Sequence, residues 1–121
     1  MSDSAVSVNV AIVRGTCSSP AEVRVLPSGQ VLAQLQITTR TGERAQSVPV
    51  AVLDPPAWVE QLDTGDEIVA AGEIRRRFFR AGGVTASRVE LHAEVVGKGR
   101  DRRRARTAAR RLEEVVELLG G

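Results

Sequence analysis

Residues 68–96 constrain the chain most. Ile68, Val69, Ala70 and Ala71 form an unbroken apolar run, Gly82-Gly83 interrupts the pattern, and residues 84–96 return as a second strand. Strand-length apolar segments on either side of a Gly-Gly pair spell a β-hairpin. Its tip carries Arg75, Arg76, Arg77, Arg80 and Arg88 around Phe78 and Phe79, with no acid between Glu73 and Glu90. That arm must stand out from a body built by the rest of the chain. Five guanidinium groups around two rings suit a groove that follows a phosphate backbone and stacks bases. The alternative is a solvated edge whose charges only discourage aggregation.

The body reads as further strands. Val6, Val8, Val10 and Ile12 alternate with Ser7, Asn9 and Ala11, a half-buried strand that Gly15 ends. Residues 20–29 hold a short extended piece and a Pro27-Ser28-Gly29 turn. Residues 30–39 follow, with Val31, Ala33, Leu35 and Ile37 on one face and Gln34, Gln36, Thr38 and Arg40 on the other. The turn Thr41-Gly42-Glu43 leads into residues 46–53, with Val48, Val50 and Val52 inward. Pro49 places that strand at an edge or a bulge. Residues 54–62 read as a short helix with Asp54 as N-cap and Trp58 as a core plug, the alternative being a platform for a base. Gly72 marks a bend in a coiled strand.

Five strands with one helix between the third and fourth make an all-β fold of the OB type, a five-stranded Greek-key barrel. It spans residues 1–97, and its expected core contains Val8, Val10, Ile12, Leu35, Ile37, Val50 and Val69. Gly97-Lys98-Gly99 reads as a linker to residues 98–121, a basic amphipathic α-helix. There Ala105, Ala108, Leu112, Val115 and Leu119 step by 3 and 4, the spacing of a coiled-coil seam. Arg100, Arg102, Arg103 and Arg104 open this helix and Glu113, Glu114 and Glu117 close it, against the helix dipole. Such placement serves a partner or neighbouring subunit, or else the helix simply docks on its own barrel.

At 121 residues, with 42% hydrophobic residues, the chain is long enough for one core. No apolar run reaches the ~20 residues of a membrane span, and the N-terminus lacks a signal-peptide pattern, so a cytoplasmic protein is expected. Cys17, in a Gly-Thr-Cys-Ser-Ser segment that reads as a loop, and His92 are the only cysteine and histidine, which leaves no zinc site, no disulfide and no cofactor motif to expect. No constellation for catalysis is present either, so an enzyme is not expected. The net charge of +2 hides segregation: residues 75–111 hold thirteen of the seventeen cations against three acids. That concentration points to an anionic partner.

Three segments carry a family resemblance: Val8-Asn-Val-Ala-Ile-Val-Arg-Gly15, Pro20-Ala-Glu-Val-Arg-Val-Leu-Pro-Ser-Gly29 and Gly65-Asp-Glu-Ile-Val-Ala-Ala-Gly-Glu-Ile-Arg-Arg-Arg-Phe-Phe79. In this order they resemble the bacterial single-stranded DNA-binding protein family over residues 6–97. The resemblance implies an OB fold, homodimers or homotetramers, sequence-tolerant single-strand binding in replication, recombination or repair, and a nucleoid association. It also implies that Arg75, Arg77 and Phe79 contact DNA, at the positions of the family's Gly-x-Leu-Arg-x-Arg-x-Trp pattern. The remaining candidate contacts are Arg76, Phe78, Arg80, Arg88, Arg40, Arg102, Arg103 and Arg104.

The chain departs from the family in the aromatic platforms, where it has Gln46-Ser47-Val48 and Val52-Leu53, and in a basic helix standing where the family has an acidic Pro-Phe tail. The resemblance therefore suits a divergent accessory member, heavier in electrostatics than in stacking. The competing expectation is an OB interaction module of the primosome-accessory kind, with RNA or a replication or repair protein as its target.

Overall fold

Residues 7–120, the part that the computed structural model describes, form six strands and two helices. They are β1 (Ala11–Cys17), β2 (Glu22–Val25), β3 (Val31–Thr41), β4 (Arg44–Leu53), α1 (Ala57–Glu60), β5 (Glu67–Ala81), β6 (Val84–Lys98) and α2 (Arg102–Gly120). The order β1-β5-β6-β4-β3 closes into a five-stranded barrel because β1 pairs again with β3, at Thr16↔Thr38 and Cys17↔Ile37. The small β2 pairs with the first part of β3. β4 and β6 run parallel at Val50↔Leu91 and Ala51↔His92, and the other pairings are antiparallel. With α1 between β4 and β5, this is an OB-like barrel. Among the described residues no helix is long and apolar enough to cross a membrane.

The barrel interior is filled by Ala33, Leu35 and Ile37 of β3, Val50 and Val52 of β4, Ile68 and Ala70 of β5, and Leu91 and Val96 of β6. Trp58 packs against this core, as its spacing suggests, with the Lys98 ammonium 5.8 Å from its ring centroid. Pro49 lies where β4 is an edge, since β6 pairs with β4 only from Val50 to Ala51.

β1 departs from the expectation. The expected start at Val6 lies outside the described residues, and the strand runs through Gly15 to Cys17 rather than ending there. A Cβ on Gly15 would lie 2.1 Å from the Thr38 carbonyl oxygen, so glycine lets β1 cross β3 at the seam of the barrel. The inward side chains are Ala11 and Val13, while Ile12 faces outward. Val8 and Val10 are half-buried and line a cleft with Arg111, Val115 and Leu118 of α2. Alternation marked the apolar face correctly, but that face is covered by a helix, not by the barrel. Val69, expected in the core, is likewise buried outside the barrel.

The second covered layer explains the run Ile68-Val69-Ala70-Ala71. Ile68 and Ala70 face the barrel interior, while Val69 and Ala71 meet Ala108 of α2 together with Ile12 and Val95. A strand covered on both faces reads as continuously apolar. Gly97 and Gly99 are not a flexible linker. Gly97, the next-to-last residue of β6, lies directly beneath Arg104, where a Cβ would come within 2.4 Å of the arginine Cβ.

The helix begins at Arg102 because Asp101 caps it, its Oδ1 accepting the Arg104 N–H at 3.1 Å. Its docked stripe passes through Ala108, Arg111 and Val115, so Leu112 and Leu119 of the expected seam face solvent. Asp54 is no helix cap: the Pro55-Pro56 pair keeps the preceding backbone out of the helical region. Its carboxylate instead accepts from the Val31 N–H (3.2 Å) and Gln30 Nε2 (3.1 Å), fastening the start of β3.

Cys17 is buried at the end of β1, not in a loop, and its thiol donates to the Ser19 carbonyl at 2.8 Å. Burial, with a contribution from Asp66, pushes this thiol above its ordinary value of 9.0. An unfolded chain ionises first, so this contribution to stability is complete below about pH 9 and is lost as pH rises through the folded value. Native protein should accordingly react with a thiol-specific reagent on the order of 100-fold more slowly than urea-unfolded protein. Equal rates would mean that the thiol is open to solvent.

Candidate nucleic-acid interface

The β5–β6 hairpin extends past the barrel and turns through Gly82 and Gly83, both at positive φ (58° and 79°), the pattern of a two-residue type I′ turn. Neighbouring residues on its strands point to opposite faces. The face continuous with the barrel's outer surface carries Glu73, Arg75, Arg77 and Phe79 on β5, opposite His92, Glu90, Arg88 and Ala86 on β6. The other face carries Ile74, Arg76, Phe78 and Arg80. The seven candidate residues of the arm are therefore not one groove.

The outer face is ordered by one buried acid. Glu90, 2% exposed, accepts from Arg77 Nε at 2.9 Å and lies 3.3 Å from His92 Nε2. Held this way, the Arg77 guanidinium sits over the Phe79 ring, 5.5 Å from its centroid. Arg77 also stands directly across from Arg88. Like charges opposite each other in a sheet repel, and Arg88 makes no ion pair among the described residues. Arg75 pairs with Glu73 and is largely exposed.

The opposite face is more self-contained. Arg76 donates to Ser87 Oγ at 2.9 Å, and Arg80 donates to Thr85 Oγ1 and the Gly83 carbonyl. Phe78 is 67% exposed there, on the same face as the exposed Ile74 and Val89.

The outer face continues across the barrel. One row of mutually paired residues runs Glu22, Gln34, Ala51, His92, Glu73 over β2, β3, β4, β6 and β5. Ala51 is buried at its centre, the floor between longer side chains on both sides. Arg88 lines a cleft on this face together with Ser19, Glu22, Gln34 and Gln36. Arg40 lies on the same face of β3, three positions beyond Ile37 and exposed beside the β3–β4 turn. In barrels of this class, this sheet face and this hairpin are where ligands bind.

Arg102, Arg103 and Arg104 lie elsewhere. Arg104 sits over Gly97, the partner of Val69, and Arg102 lines a cleft with Arg14 and Arg100. Val69 is ten residues along β5 from Phe79, roughly 30 Å of strand. Cys17 and His92 lie on opposite sides of the barrel wall and do not meet. Among the described residues no cluster of three His, Cys, Asp or Glu side chains is placed to hold a metal ion.

Two members of this surface escaped the candidate residues. Glu90 reads in sequence as a solvent-facing acid, and only its neighbours' reach buries it. Gln34 was legible as part of a polar strand face, but nothing in the sequence distinguishes it from Gln36. No protein-family model matches the chain, and no curated protein matches it.

Proposed function

We propose that this chain binds single-stranded DNA without turnover and with little dependence on sequence, as an accessory factor of the single-stranded DNA-binding type in replication, recombination or repair. One observation carries the reading. Arg77 and Arg88 face each other on an exposed sheet surface with Arg75 beside them, and Phe79 lies one pair further out on the same face. Opposed guanidinium groups invite an anion between them, and the adjacent ring offers a stacking platform. Arg40 extends this surface, and the other arm face, with Arg76, Phe78 and Arg80, supplies secondary contacts.

The test exploits the two faces. Phe79→Ala should weaken binding of labelled oligo-dT by about 1–3 kcal/mol, the range of a lost base stack. Phe78→Ala should cost clearly less. Replacing Arg75 and Arg88 together by alanine should lower the salt slope of binding by about 1.4, at ~0.7 for each phosphate contact to a single strand. Equal losses for the two phenylalanines would move the site off the outer face.

A second reading, docking on another protein, is favoured by the apolar stripe Leu112, Val116 and Leu119 on α2, exposed to 53%, 61% and 70%. An interface of that kind would respond weakly to salt, which separates the two readings.

A further inference from the structure

We infer that the exposed stripe of α2 is a self-association surface, on which the α2 of a second copy of this chain lies antiparallel, whatever the arm binds. The helix carries two stripes. Ala108, Arg111 and Val115 lie on its docked side, with Ala108 buried among Val69, Ala71, Ile12 and Val95. A second stripe, Ala105, Ala109, Leu112, Val116 and Leu119, steps by 4, 3, 4 and 3, the period of a coiled-coil seam. Helical geometry turns it about a quarter-turn from the docked side. Its three large members are exposed, and Ala109 with them. The first stripe suffices to dock the helix on its own barrel; the second faces water.

The charges beside the second stripe specify what covers it. Arg102, Arg106 and Arg110 flank its first half, and Glu113 and Glu117 its second half. None of these five is in an ion pair among the described residues. Arginines at the start of a helix and glutamates at its end are the signs its dipole disfavours. A second α2 laid antiparallel removes both faults at once. It sets the basic half against the acidic half and brings opposite dipole ends side by side. A parallel copy would instead set arginine beside arginine and glutamate beside glutamate.

The register follows from size and charge together. A two-fold axis between Ala109 and Leu112 packs Leu112 on Ala109 of the second copy and Val116 on its Ala105, large on small. In that register Arg106 meets Glu113 of the second copy, and symmetry makes the contact twice. Leu119 meets the aliphatic stem of Arg102. Three large side chains and their flanking charges fall short of the ~800 Å² per partner of a standard interface, so the dimer is weak and forms as concentration rises.

Sedimentation equilibrium of the nuclease-treated full chain, from about 1 to 500 μM, reads the association directly. Monomer should give way to dimer in the upper part of that range. Leu112→Glu should leave only monomer. Arg106→Glu should weaken the dimer on the order of tenfold, because it turns two attractions into repulsions. Glu113→Arg should do the same. The double variant Arg106→Glu/Glu113→Arg exchanges the signs of both pairs and should return to within about threefold of the parent. Residues 106 and 113 stand about 10 Å apart along one helix, so such a rescue cannot arise within a single copy. All three positions are exposed, and far-UV circular dichroism checks that each variant is folded. A parent that stays monomeric throughout would overturn the self-association and leave the stripe to a different protein. A dimer that survives Leu112→Glu would place the contact elsewhere on the molecule. A double variant no better than either single one would overturn the antiparallel register.

Discussion

Gly72→Ala is expected to lose at least about 3 kcal/mol of stability, because a Cβ there has no room. It would lie 1.9 Å from the His92 carbonyl oxygen and 2.8 Å from its carbon, backbone atoms that cannot rotate aside. The crowding has a cause in the ladder. Between Ala71 and Gly72 the register with β6 slips by one, from Ala71↔Val95 to Gly72↔Ala93, so Glu94 is the extra residue of a bulge. The bulge bends the sheet where the barrel wall becomes the free arm, and glycine permits the close approach. Glu94, displaced outward, pairs with Arg111 of α2. Urea unfolding followed by circular dichroism measures the loss. Gly82→Ala is the control: its φ is 58° but nothing lies near its Cβ position, so it should cost only about 1–2 kcal/mol. A Gly72→Ala protein no less stable than the Gly82→Ala control would mean that the strands separate easily at the bulge.

Arg77→Ala should cost about 3 kcal/mol of stability as well as affinity, since it strips a buried carboxylate of its ion-pair partner. The Glu90 side chain is 1% exposed and the Arg77 side chain 24%, so the acid is the member that water reaches poorly. Adding Glu90→Gln to Arg77→Ala should recover more than half of the loss, because the amide carries no charge to leave unpaired. If Arg77→Ala unfolds at the same urea concentration as the parent, the pair contributes nothing to the fold and Arg77 is free to serve the ligand alone. The same coupling explains why Arg75 and Arg88 are the cleaner probes of the salt slope. Their removal leaves no buried charge behind.

Much of this architecture was legible in the chain. Gly82-Gly83 between two apolar stretches named the hairpin, since few other residues accept positive φ at both central turn positions. Alternation along residues 33–37 and 48–52 named the inward residues of β3 and β4, while Val31, expected with them, lies outside the core cluster. The apolar stripe from Ala105 named the C-terminal helix, but its expected start at Arg100 lies two residues before the observed one, where Asp101 caps the helix at Arg102. In a strand, Phe78 and Phe79 must face opposite ways by parity alone. Which parity joins the sheet surface followed only when β6 paired with β4 and closed the barrel.

The sequence by itself determined the local grammar: turns, strand periodicity, the charged arm and the amphipathic helix, all set by contacts within a few residues. Tertiary structure decided which faces those elements share. The apolar side of β1 lies under α2 and not inside the barrel, because hydrophobic burial is non-directional and either cover satisfies it. Glu90 became the organiser of the arm, and Gln34 an unpaired donor, only through residues brought beside them from other strands. Burial and hydrogen-bond satisfaction depend on three-dimensional neighbours that no local pattern encodes, so the buried and paired groups of the candidate site were the parts the sequence left open.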